Sequence, residues 1–414
     1  MVDSGIPWIG DVPKEWKKIR IKHIFEIIGG NGFKDKYQGK ESGDYPFYKT
    51  SDINGDCDYV STSSNYVDAD VVDIENYNIV PVSSIVVSKI GAAMRKNHRK
   101  ITTCDCCIDN NLQALHPIRT IDDVKYLYYL LKVVNFEWFD NNGTIPSVNN
   151  AKLKDLYVPW VSLAEQQRIA EFLDKKCAEV DEMIALQEQI IEELKAYKQS
   201  VITEAVTKGL NPVAPMRDSG IEWIGSIPEH WEVKRLKFVA ERHNQKVSDE
   251  VLPYIGLENV ESFSVRFIET ENEYDITQAQ VCAVGDVIFG KLRPYLGKAM
   301  VIKTEHCCSS EFLVLSGSGA PSYLRYLMLS DWFVEIVNAS TYGTKMPRAN
   351  ADYIMNMQVV CPPIDERKAI TDYLDEKCED IDSLIQTKQS KIDSLKEYKK
   401  SIIYEYVTGK KEVE

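Results

Sequence analysis

Two stretches of this chain repeat apolar residues at alternating three- and four-residue steps. In the first, Ile169, Leu173, Val180, Met183, Ile190, Leu194, Tyr197 and Val201 keep that rhythm, broken at Lys176 and Gln187. The second offers Ile370, Leu374, Ile381, Leu384, Leu395, Tyr398 and Ile402, with Lys388 and Lys391 weakening its middle. Charged residues fill most positions between them, so each stretch predicts a helix with one apolar seam. Each runs about 40 residues without Pro or Gly, a length on the order of 60 Å at about 1.5 Å per residue. Such a helix needs a partner. Pairing the two antiparallel within the chain is the least costly arrangement and puts one globular domain at each end; an intermolecular coiled coil is the alternative. Ile184, Ile191, Ile385 and Ile392 widen the apolar stripe beyond one seam and are candidate partner-binding positions.

Outside the helices the pattern changes to short apolar runs, such as Ser84-Ile85-Val86-Val87 and Val281 to Phe289, punctuated by Gly, Asn, Asp and Pro. These read as strands and turns. Tyr126 to Val134 and Tyr323 to Val337 read as helices, so mixed α/β domains are expected. The whole order is written twice. Asp3 to Lys22 (DSGIPWIGDVPKEWKKIRIK) matches Asp218 to Lys237 (DSGIEWIGSIPEHWEVKRLK) at an offset of 215, and Ile169 to Val206 matches Ile370 to Val407 at an offset of 201. The repeat predicts a pseudo-twofold α/β molecule: two mixed globular domains joined and separated by two long antiparallel coiled-coil helices. The expected divisions are residues 1–158 and 211–360 for the domains, 159–210 and 361–410 for the helices, and 411–414 for a tail.

Charge refines this picture. The formal net charge of −14 argues against a nucleic-acid partner, because DNA affinity rests largely on neutralising phosphates. Its distribution reverses that argument. Ser162 to Thr207 holds 10 acidic and 5 basic residues, and Pro363 to Val407 holds 11 and 8, so the helices carry −5 and −3 of the total. The globular regions contain basic loops instead. Lys89 to Lys100 (KIGAAMRKNHRK) has five basic residues and no acidic one; Lys291 to Lys303 (KLRPYLGKAMVIK) has four and none. Both follow a Val/Ile run, as a duplicated phosphate-binding surface requires.

A second repeated loop, Gly143-Thr144-Ile145-Pro146 and Gly343-Thr344-Lys345-Met346-Pro347, precedes the last strand of each region. A third pair sets Tyr45-Pro46-Phe47-Tyr48-Lys49 against Leu252-Pro253-Tyr254-Ile255-Gly256. The candidate DNA-binding residues are therefore Lys49, Lys89, Arg95, Lys96, Arg99, Lys100 and Thr144 in the first domain. In the second they are Tyr254, Lys291, Arg293, Tyr295, Lys298, Thr344 and Lys345.

Catalytic and metal chemistry find little support. Cys104, Cys106 and Cys107 near His98, and Cys307-Cys308 beside His306, lack zinc-finger or ribbon spacing. No G-x-x-x-x-G-K-[ST] loop or glycine-rich cofactor motif occurs, and His23 and His243 have no evident nucleophile partner. No catalytic residue and no metal ligand is assigned. Ten scattered cysteines, an acidic and aromatic amino terminus and no long apolar run lead us to expect reduced thiols, no membrane association and a cytoplasmic location.

The duplicated leads (Trp16 to Ile21, Trp231 to Leu236), GDVIFGKLRPYLGK from Gly285 to Lys298, and PPIDERKAI from Pro362 to Ile370 together resemble the specificity subunits of type I restriction-modification systems. Leu163 to Ile169 looks like the first copy of the last element. The resemblance covers essentially the whole chain. It implies two target recognition domains reading one bipartite double-stranded DNA site, and helices that space them and dock two methyltransferase subunits, with restriction/translocase subunits joining. It also implies no catalysis by this chain, since adenine methylation and cleavage, with their S-adenosylmethionine, ATP and Mg2+, would belong to the partners. One departure is that Lys89-Ile90-Gly91-Ala92-Ala93 lacks the R-P-Y of Arg293-Pro294-Tyr295. The alternative is a duplicated coiled-coil scaffold whose globular domains bind proteins.

Overall fold

The computed structural model describes residues 1–55, 57–119, 122–247, 252–264, 266–270, 278–343 and 345–413. It contains two compact units, residues 1–185 with 392–414, and residues 186–391. Continuous helices span Leu163–Lys208 and Ile364–Val407, 46 and 44 residues long, so each unit holds one part of each helix.

The first unit is built on a five-stranded sheet in the order Phe25–Gly29, Leu112–Pro117, Ile85–Ser88, Arg99–Thr102, Tyr59–Val60. The pairs are antiparallel except the last, which is parallel. The helix Val124–Lys132 buries every side chain from Tyr126 to Leu131 against this sheet. Ile169, Leu173 and Cys177 of one long helix and Ile402, Ile403 and Val407 of the other complete the same core. The second unit repeats the plan with four strands, Glu241–His243, Phe312–Ser316, Val287–Gly290 and Ala299–Val301, and the helix Pro321–Leu329.

Each domain is closed by one antiparallel strand pair joining its beginning to its end. Lys17–Arg20 pairs Tyr157–Trp160 with Arg20 opposite Tyr157; Glu232–Arg235 pairs Gln358–Cys361 with Arg235 opposite Gln358. These registers are equivalent under the repeat. The domain-to-helix contact repeats too. Tyr129 donates its hydroxyl to Asp174 and Tyr326 to Asp375, both at 2.6 Å. Beyond each long helix a glycine adopts a left-handed backbone, Gly209 at φ 74° and Gly409 at φ 70°. A Cβ there would lie 3.0 Å from Trp231, or 2.5 Å from Pro13 and 3.0 Å from Trp16. Glycine therefore lets each lead pack against a helix end.

The helices pair antiparallel within each unit. In the first, Lys399 reaches Asp181 (2.6 Å) and Phe172 packs on Tyr406 at 4.3 Å between ring centroids. In the second, the repeat-equivalent Lys198 reaches Asp382 (2.7 Å). The seam differs from the one expected in its middle. Met183, Tyr197, Leu384 and Tyr398 are about half exposed, whereas Cys177, Cys378, Ile191 and Ile392 are buried. Ile184 and Ile385 are half-buried. The buried frame runs 169, 173, 177, 180, 184, 187, 191, 194, 198 and repeats 201 residues later. Ile191 and Ile392 are thereby corrected as partner-binding positions, because a side chain 6% or 1% exposed has no surface left to offer. The exposed large apolar side chains on the helices are Leu163, Met183, Leu186, Tyr197, Ile364, Leu384 and Tyr398.

Candidate nucleic-acid interface

The same three backbone hydrogen bonds fix the loops singled out in each domain: one ties the basic loop to the residue before a neighbouring strand, and two join it to the Gly-Thr loop. In the first domain Lys89 donates to Asn111 (2.9 Å), Val148 to Lys89 (2.9 Å) and Gly91 to Pro146 (2.8 Å). In the second, Lys291 donates to Glu311 (2.9 Å), Ala349 to Lys291 (2.9 Å) and Arg293 to Pro347 (2.7 Å). The basic loop leaves the end of a buried strand, Ile85–Ser88 or Val287–Gly290, and the Gly-Thr loop is clamped beside it. Residues more than 50 positions apart thus present one surface per domain.

Position by position the clamps diverge. Gly91 has φ 71°, and its counterpart Arg293 has φ 50°, a left-handed conformation costly for a residue with a Cβ. Arg293 is exposed and opens the short turn Pro294–Leu296, whose Tyr295 is also exposed. Lys345 is exposed on the facing loop, and Thr344 lies outside the described residues. Lys291 is half-buried, its ammonium pKa pushed down by burial and by nearby Arg242 and Arg348. Sequence reading missed those two arginines. Arg348 directly follows the Gly-Thr-Lys-Met-Pro loop and bonds Glu311, and Arg242 pairs with Asp352 at 2.9 Å. Arg348's place beside the loop was the available signal; Arg242 had none, since only strand pairing brings it there.

Five assignments change. Arg99 and Lys100 are 5% and 7% exposed, inside the strand Arg99–Thr102. Arg99 donates to the carbonyls of Asn97 (3.1 Å) and Val134 (3.3 Å) and lies 5.3 Å from the Phe136 ring, with burial lowering its pKa to about 10. Both belong to the core, since a strand continuing the sheet carries its side chains into the two packed faces. Lys298 turns inward, donating to the Leu257 carbonyl at 2.6 Å. Lys49 sits away from the clamp, bonded to Gln38 (2.8 Å) and over the Phe33 ring. Tyr254 is half-buried in its strand, and burial raises its phenol pKa. Arg95, Lys96 and Thr144 remain exposed at the first clamp, Arg95 with Glu137 at 3.5 Å.

Among known proteins, residues 13–196 match the family model described as the type I restriction modification DNA specificity domain. The chain is similar to type I specificity subunits. It is 24% identical to the type I restriction enzyme MjaVIII specificity subunit of Methanocaldococcus jannaschii over 96% of this chain and 93% of that one. It is 23% identical to the EcoDI specificity subunit of Escherichia coli, over 87% and 81% of the two chains. The fold matches a chain from a structure describing complex assembly and conformational transition of the type I R-M system, with TM-score 0.67, 14% identity and coverage of 96% and 98%. The matched fold is one of two mixed α/β domains and two long helices. Among the described residues no helix is long and apolar enough to cross a membrane.

Proposed function

We propose that this chain is a specificity subunit that reads a bipartite double-stranded DNA target, one part per domain, and has no catalytic role of its own. The observation that carries this reading is the repeated clamp: domains of unlike sequence hold a basic loop and a Gly-Thr loop together by the same two hydrogen bonds. A shared scaffold with divergent tips suits two readers of different half-sites. Exposed cations at the clamps include Arg95 and Lys96 in the first domain, and Arg293, Lys345 and the Glu311-paired Arg348 in the second. The acidic helices dock two methyltransferase subunits, and restriction/translocase subunits join that assembly in the cytoplasm. S-adenosylmethionine, ATP and Mg2+ reside in those partners.

The test is reconstitution of the full chain with the methyltransferase subunit encoded beside it, followed by DNA binding and methyl transfer. Sequence-selective binding, with methylation only in the complex, is the expected result. Methylation by this chain alone would overturn the non-catalytic reading, and a folded complex without DNA affinity would favour a protein-binding scaffold. Alanine at Arg95 and Lys96, or at Arg293 and Lys345, should weaken binding. Each phosphate contact removed should lower the slope of log affinity against log salt by about 0.9.

A further inference from the structure

The lead D-S-G-I-x-W-I-G opens both halves of the chain, at Asp3 to Gly10 and Asp218 to Gly225. Its isoleucines have structural work, since Ile6, Ile9 and Ile221 are 5% exposed or less. Its tryptophan does not share that burial. Trp223 is 49% exposed, and Trp8 is half-buried. An acidic-Trp-Phe triplet also occurs once in each globular region, Glu137-Trp138-Phe139 and Asp331-Trp332-Phe333. Each phenylalanine enters its core, and each triplet tryptophan comes to the lead. In the first unit Trp8 and Trp138 lie 5.4 Å apart between ring centroids, Trp138 being 46% exposed. In the second unit Trp223 and Trp332 line one cleft of about 440 Å³.

The cleft's chemistry indicates what fills it. Ile224 and Ile336 supply apolar wall, and Glu204, Asp331 and Glu335 supply carboxylates. Among its described lining residues only Lys208 is basic, and it faces Glu204 at 3.6 Å. Trp332 is 5% exposed and its indole N–H has no acceptor. Carboxylates repel phosphate, so DNA is a poor occupant. The exposed Trp223 indole, edged by carboxylates, suits a protein segment that lays a cationic side chain on an aromatic face. In the first unit Trp8 and Trp138 stand beside Glu137, whose carboxylate there pairs with Arg95 at 3.5 Å. The globular regions have diverged, yet each keeps one exposed tryptophan, Trp138 or Trp223, beside a less accessible one, Trp8 or Trp332.

We propose that the two tryptophan pairs are equivalent docking sites for two copies of one protein partner, each receiving a segment that carries lysine or arginine. The proposal rests on the assembly with two methyltransferase subunits argued above and gives the leads, rather than the helix stripe alone, a part in holding them. Trp223→Ala and Glu335→Lys alter the second site; Trp138→Ala alters the first. Native mass spectrometry and titration of the full-length chain with the methyltransferase subunit read the outcome. The wild type should bind two copies. Variants at one site should bind one at wild-type affinity and the other roughly 30-fold or more weakly, and the combined variant should lose both. DNA affinity of the free chain should be unchanged. Glu335→Lys changes an exposed side chain and keeps the test open if a tryptophan variant misfolds. Folded variants that bind two copies at wild-type affinity overturn the docking site but leave the DNA-reading function standing. A wild-type chain that binds no methyltransferase overturns both the docking site and the two-methyltransferase assembly on which it rests.

Discussion

At the scale of single residues, charge alone does not distinguish a DNA contact from a core member. Arg95 and Arg99 stand in one basic run, but the strand that begins at Arg99 carries the second inward. Arg99→Ala should therefore cost about 2 kcal/mol of stability, from lost buried hydrogen bonds and packing on Phe136. The salt slope of DNA binding should not change in the folded fraction; chemical denaturation and anisotropy together check this. Asp58 provides a pH-dependent counterpart. Burial raises its pKa, but Lys132 (3.1 Å), Lys125 (2.8 Å) and the Tyr128 hydroxyl (2.6 Å) outweigh burial and hold it down to about 2 from an ordinary 3.8. The stabilisation is thus full above the ordinary value and fades as pH falls toward 2, with a size of roughly 2 kcal/mol. Acid titration of wild type against Asp58→Asn should show the wild-type advantage at pH 6 disappearing by about pH 2. Nothing in the sequence near Asp58 pointed to this network, because its partners lie over 60 residues away on the helix Val124–Lys132.

At the scale of elements, the long helices were legible from periodicity, and their antiparallel pairing from the repeat. The seam's middle was not, because Met183 and Ile184 are both apolar and a step of three or four fits equally well. Packing decides it by placing Lys198 and Lys399 within the seam. Lys198 is 7% exposed, its stem buried and its ammonium on Asp382. A lysine in a seam favours the register that supplies its carboxylate. A double-mutant cycle with Lys198→Ala and Asp382→Ala should give a coupling of about 1 kcal/mol, modest because Asp382 remains partly solvated. Additive losses in thermal denaturation would remove the pair as a register determinant. The clamps were half legible: sequence located both loops in each copy, whereas their hydrogen bonding to one another depends on strand order.

At the scale of the whole molecule, the first unit is discontinuous in sequence, because residues 392–414 complete the core begun by residues 1–185. Deleting residues 392–414 removes Ile402, Ile403 and Val407 from that core and nothing from the second unit's. Hydrogen exchange should show protection lost selectively around the helix Val124–Lys132 and kept around Pro321–Leu329; uniform loss would mean that the units unfold as one. The matching registers of the closing strand pairs carry a further consequence. Each domain leaves and rejoins the rest of the chain on neighbouring strands, with Arg20 opposite Tyr157 and Arg235 opposite Gln358. A segment bounded in this way behaves as a cassette: whatever lies between the paired strands can be exchanged if its ends return to the same spacing. The near-identical leads would then be natural crossover points for recombination, allowing a lineage to change what it reads in one genetic step while keeping the machinery that acts on the reading.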